Sequence, residues 1–118
     1  MQYQDIKPIS REQAEQAFAS NVESSLIDAL LRSAYHNEDW RWVQGKCLVY
    51  AQHPSCLVRQ IAIQSLGHLA RLHGKLDMNL VMPVLLDLKK DSTLLGFVDD
   101  ALDDIQMFIK ESPELPKI

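Results

Sequence analysis

Apolar and small residues recur along this chain at a spacing of 36 positions. Setting 22–34 over 58–70 and 94–106 superposes Val22, Val58 and Leu94; Leu26, Ala62 and Val98; Ala29, Ser65 and Ala101; and Leu30, Leu66 and Leu102. The steps between these columns are four, three and one, which trace one face of an α-helix. A helical unit repeated at this period predicts tandem helix pairs, each burying its apolar face against the next. Within the middle copy, a turn of about 100° per residue puts Val58, Ile61, Ala62, Ser65, Leu66, Leu69 and Leu72 on a dry face. The opposite stripe holds Gln60, Gln64, Gly67, His68 and Arg71. Equivalent positions offer Ser24, Asp28, Leu31, Arg32 and Tyr35 in the first copy, and Gly96, Asp100, Asp103, Asp104 and Met107 in the third.

The punctuation between these stretches predicts six helices. Ser10 and Gln13 have the spacing of a capping box and open a helix to about Ala19. Asn21 is placed to cap a second helix ending near Tyr35, and Asp39 a third that carries Trp40, Trp42, Val43, Cys47, Leu48 and Tyr50. His53-Pro54-Ser55 is a turn, since proline removes a donor and restricts the residue before it. The fourth helix runs to about His73, with Gly74 suited to its carboxyl-terminal cap. Asp77 opens a fifth through about Lys90, and Ser92 or Thr93 a sixth ending near Glu111. Pro113 and Pro116 mark 113–118 as a loose tail on a single domain spanning 1–118. Pro83 falls inside the fifth helix, where an interior proline costs about 3 kcal/mol and predicts a kink.

Val58-Arg59, Ala62 and Leu66-Gly67, followed by Pro83, Leu85, Leu86, Leu88 and Asp91, resemble the HEAT-repeat family. In that family a first helix with a kinking proline and leucines leads through an Asp turn to a second helix opening Val-Arg. The resemblance covers 39–107 well and 11–36 loosely; the third copy departs from it, with Leu94-Leu95 in place of Val-Arg. It implies an all-α, right-handed stack of about three helix pairs, whose second helices line one concave surface.

Composition narrows the function more than the fold. An apolar fraction of 47% and a charged fraction of 24% are those of an ordinary soluble domain. No run of about 18 apolar residues predicts a membrane span, and no basic-then-apolar leader opens the chain. Cys47 and Cys56 lie outside any Cys-x-x-Cys pair and read as buried free thiols in a reducing compartment, which makes the cytoplasm the expected location. The net charge of −4 is unevenly placed. Residues 1–98 carry ten acids and ten bases, whereas 99–118 carry six acids against two bases. Such an end repels phosphate backbones and attracts basic partners.

Catalytic and metal chemistry is not written into the pattern. The four histidines include no pair four apart, so no helix face offers a His-x-x-x-His site. No nucleophile elbow, phosphate loop or dinucleotide fingerprint occurs. The chain is therefore expected to be no enzyme and to need no metal or cofactor. Gly45, Gly67 and Gly96 fall inside predicted helices, where a missing side chain permits close packing.

What remains is a surface. Asp99/Asp103 and Asp100/Asp104 are like-charge pairs at four-residue spacing and Asp100/Asp103 at three, each costing about 0.2–0.5 kcal/mol. A helix that tolerates this repulsion suits a cationic partner. Trp40 and Trp42 diverge by about 200° on a helix, so one is expected to pack and the other to be exposed with Tyr35 or Arg41. The candidate protein-binding residues are accordingly Asp99, Asp100, Asp103, Asp104, Met107, Gln64, His68, Arg71, Tyr35 and Trp40. Dispersed cations (Arg59, Arg71, Lys75 and an isolated Lys89-Lys90) argue against a nucleic-acid groove, and against the HEAT-like DNA glycosylases that need one. A small, acidic α-solenoid also looks like some immunity proteins of bacterial toxin systems, including contact-dependent growth inhibition. That resemblance implies a protein partner, a cognate toxin domain that is often a basic nuclease, bound by a monomer or weak dimer. No nucleic-acid or membrane partner is expected. The other reading is a scaffold or assembly factor docking a larger complex through the same face.

Overall fold

The computed structural model describes residues 6–109, and among them it contains six helices and no strand. They are α1 (Arg11–Ser20), α2 (Glu23–His36), α3 (Trp40–Tyr50), α4 (Cys56–His73), α5 (Met78–Leu88) and α6 (Leu95–Phe108). The tail at 113–118 and the expected helix end near Glu111 lie outside the described residues.

Local sequence explains most of the boundaries. Ser10 Oγ accepts from the Gln13 amide at 3.0 Å while the Ser10 amide donates to Gln13 Oε1 at 3.1 Å, completing the capping box of α1. Asp39 caps α3 by accepting from the Trp42 amide at 3.2 Å. Gly74 ends α4 at φ 65°, a left-handed conformation that costs a residue without Cβ nothing.

Three expected caps differ. Asn21 does not open α2; it closes α1 in the left-handed region at φ 52°, and α2 begins from Val22 without a side-chain cap. Asn is among the few non-glycine residues that visit this region readily, so the short loop uses it to turn the chain. Asp77 stands at the start of α5, yet its side chain caps nothing, and its own amide donates to Gln44 Oε1 at 2.6 Å. Before α6, Asp91 accepts from both the amide and the hydroxyl of Thr93, and Leu94 takes the cap position. Those bonds hold the Asp91 carboxyl below its usual pKa. Pro83 does lie inside α5, which ends at Leu88 rather than Lys90. Pro83 and Asn79 are both exposed, so water can serve the carbonyl that proline leaves without a donor.

The even-numbered helices form a row. α4 packs against both α2 and α6, α3 packs across α4, and α1 and α5 cover α2 and α6. Three of the four 36-residue columns coincide with this row; in the first, Val58 and Leu94 are buried but Val22, just ahead of α2, is 53% exposed. Leu26, Ala62 and Val98 are buried, as are Ala29, Ser65 and Ala101. Leu30 and Leu66 are fully buried, with Leu102 half-buried beside them. Burial of each large aliphatic side chain contributes about 1.5–3 kcal/mol.

The central helix departs from a simple two-faced reading. Gly67 and His68, expected on the wet stripe of α4, are buried, and Leu31 of α2 is buried too. Leu72, expected inside, is half exposed. A helix with neighbours on three sides buries most of its circumference, and periodicity along one helix does not reveal those neighbours. Gly67 accounts for the closeness of α6: a Cβ there would stand 2.8 Å from Asp104 Oδ2 and 3.4 Å from Ala101 Cα. Gly45 and Gly96 have open space instead, so close packing is not their role. Cys47 is buried, and burial pushes its thiol up to about 12, but Cys56 is only half-buried and rests near Thr93 Oγ1.

Candidate functional site

The row of even helices leaves a cleft of about 470 Å³. Its walls come from all three: Tyr35 of α2; Gln64, His68 and Arg71 of α4; and Phe97, Asp100, Ala101, Asp103 and Asp104 of α6. Helical spacing explains the sets. Residues 64, 68 and 71 share one face of α4, and 97, 100, 101 and 104 share one face of α6.

Seven of the ten residues singled out in the sequence meet here. Three do not. Asp99 points elsewhere and pairs with Lys89 at 3.6 Å. Met107 is 62% exposed and lies outside the cleft lining. Trp40 is half-buried against the core, in a separate recess of about 230 Å³ with Arg41, Gly74, Lys75, Leu76 and Ile109. The Arg41 guanidinium lies 4.6 Å from its ring centre. Trp42 packs as well: its ring meets Phe18 edge-on at 6.2 Å, beneath the Arg11 guanidinium at 4.6 Å. Neither tryptophan is the exposed partner expected with Tyr35 or Arg41, because α1 covers Trp42 through Phe18 and Arg11, and Trp40 sits in the recess by Gly74, Leu76 and Ile109.

Phe97 was the residue missed. Its position four before Ala101 places it on the cleft face, but an apolar residue in an amphipathic helix reads as core.

The electrostatics of the cleft are lopsided. Asp100, Asp103 and Asp104 form no ion pair and accept no side-chain hydrogen bond among the described residues. Asp104 is the most enclosed of the three, and its carboxyl pKa is raised, first by burial and then by Asp100 and Asp103, with Arg71 opposing. His68 forms part of the lining while only 5% exposed. Arg71 Nη2 donates to His68 Nδ1, and the Tyr35 ring stands 4.8 Å from the imidazole. Burial, reinforced by the Arg71 charge, lowers the His68 pKa to about 4, so the ring is neutral at physiological pH. Because arginine only donates, Nδ1 is the acceptor and the proton of the neutral ring sits on Nε2. Nε2 has no hydrogen-bond partner among the described residues.

Fold and cleft together define a small stack of helices with an open cleft whose lining includes three aspartates, one histidine and one arginine. Among solved structures, the chain is similar to a chain of the CDI complex from Cupriavidus taiwanensis LMG 19424, at 31% sequence identity and a TM-score of 0.82. The match covers 93% of this chain and 99% of that one. At this identity and coverage, the protein belongs to the same family as that component of the complex. No family model matches the chain, and no curated protein sequence matches it. No helix among the described residues is long and apolar enough to cross a membrane.

Proposed function

We infer that this protein is an immunity protein of a bacterial contact-dependent growth inhibition system: it binds a cognate toxin domain in the cytoplasm and blocks it without chemistry of its own. The observation that carries this reading is the end-to-end likeness to a component of a CDI complex. The acidic cleft supports its assignment to the inhibitory partner. Three carboxylates against the single cation of Arg71 leave the cleft net negative, and such a surface steers a basic protein and gives fast, salt-sensitive association. A nuclease that grips phosphates with lysines and arginines presents such a surface, and acidic side chains take the place of the nucleic acid there.

The test is protection. The toxin domain encoded beside this gene is expressed in a bacterial host with and without this protein. Restored growth and co-purification of the two chains are expected. Growth arrest that persists while this protein is present and folded overturns the reading.

A further inference from the structure

Resting on that reading, we propose that the cleft between α2, α4 and α6 seats one cationic side chain of the toxin, a lysine or arginine. Its charge lies among Asp100, Asp103 and Asp104, and the main-chain carbonyl beside it accepts from His68 Nε2–H.

Two independent observations meet in the cleft. One is the trio of carboxylates with no partner among the described residues, crowded at three- and four-residue spacing on one helical face. The other is a neutral imidazole, 5% exposed in the lining, whose Nε2–H has nothing to donate to. A buried donor without an acceptor is destabilising, and that cost is removed when a partner brings a carbonyl. Carboxylate acceptors on one wall and an N–H donor on another describe a basic residue together with its own backbone. A free cation would leave His68 unserved, and an anion would be repelled by α6. The cleft is also the right size, since about 470 Å³ holds a long side chain and the turn that carries it. Gly67 sets the depth by letting α6 close onto α4, which brings Asp104 over the helix one residue from His68. The Tyr35 ring, 4.8 Å from the imidazole, forms the wall of the seat on the α2 side.

A seat differs from a diffuse acidic face in where charge matters. Asp99 lies on the same helix and has the same charge, but it pairs with Lys89 outside the cleft. The experiment measures binding of the neighbouring toxin domain to wild-type protein and to Asp99→Asn, Asp103→Asn and Asp104→Asn, each confirmed folded by circular dichroism. Removing a carboxylate relieves repulsion within α6, so these variants keep or gain stability. A seat predicts that Asp103→Asn and Asp104→Asn each lose about tenfold or more in affinity, mainly through faster dissociation. Asp99→Asn stays within about threefold of wild type, as expected of an exposed charge. Equal effects at all three positions overturn the seat and leave immunity standing. Failure of the wild-type protein to bind the toxin domain overturns both.

Discussion

α2 and α6 flank α4 in the same register, yet the residues they turn away from the core differ in sign at a single repeat position. Asp28 corresponds to Asp100, and Arg32 to Asp104. In α2 the four-residue pair attracts: Arg32 Nη1 donates to Asp28 at 3.0 Å. The same guanidinium reaches back to the entering chain, donating to the Lys7 carbonyl at 3.0 Å and the Pro8 carbonyl at 2.7 Å. In α6 the equivalent pair repels and is left open. The amino-terminal layer follows α2, with Glu15–Lys46 at 3.1 Å and Arg11–Asp39 at 3.4 Å. The repeat therefore fixes which positions pack and leaves the outward ones free. One flank spends its charges on closing the protein, and the other presents them. Across the row, column 32, 68, 104 reads Arg, His, Asp, so a histidine held neutral by burial stands between the two regimes.

That middle position gives the largest expected effect. The folded state lowers the His68 pKa to about 4 from an ordinary 6.5, so between those values the unfolded chain binds more protons than the native one. Stability attributable to His68 is complete above pH 6.5 and is lost as pH falls toward 4, by up to about 3 kcal/mol at 1.36 kcal/mol per pKa unit. Asp104 opposes this: its raised pKa means that acid removes a cost, so stability recovers as pH falls through it. Denaturant unfolding from pH 7.5 to 4.5 is expected to lose stability steeply in the wild type and shallowly in His68→Phe. Parallel slopes would show that the charge boundary does not run through this ring.

The next effect is on the order of 1 kcal/mol and separates two glycines. Gly45→Ala, in mid-helix with open space around it, should stabilise by about 0.5–1 kcal/mol. Gly67→Ala gains the same helix propensity but must push Asp104 aside and crowd Ala101. It should fall short of Gly45→Ala in midpoint denaturant concentration at unchanged m-value. Equal stabilisation would mean that α6 is not held against α4 through this contact.

Residue chemistry made the fold legible where the cause was local. Ser10–Gln13 and Asp39 cap as their side chains dictate and Gly74 as its missing one allows, and three of the four 36-residue columns land on the buried faces of α2, α4 and α6 because a helix has one period; Val22, ahead of α2, stays exposed. Asn21 was misread because Asn suits both a cap and a left-handed turn, and only the length of the loop decides between them. The cleft was legible as the spacing of Asp100, Asp103 and Asp104. Its floor was not, since Gly67 lies against Asp104 and Ala101 of α6 and His68 against Tyr35 of α2, each more than 30 residues away. Trp40 and Asp99 are diverted by neighbours from other elements, the core edge and Lys89, while Met107 is exposed as its place on the wet stripe predicts but lies beyond the cleft.

The smallest effect converts one flank into the other. Asp103→Lys places a cation four residues after Asp99 and three after Asp100, giving α6 the attractive spacing that α2 has in Asp28–Arg32. Position 103 is exposed, so no packing is lost. Each repulsive pair removed and each attractive pair gained is worth about 0.2–0.5 kcal/mol, and the gain shrinks with salt. Thermal unfolding at low ionic strength should show a rise in Tm that narrows as salt is added, while affinity for a basic partner falls. The opposition of the two readouts is the point: a face kept only for solubility would let stability rise at no cost in binding. If Asp103→Lys raises Tm and leaves toxin affinity intact, the unpaired carboxylates of α6 are a solvated surface, and the contrast with α2 has no functional content.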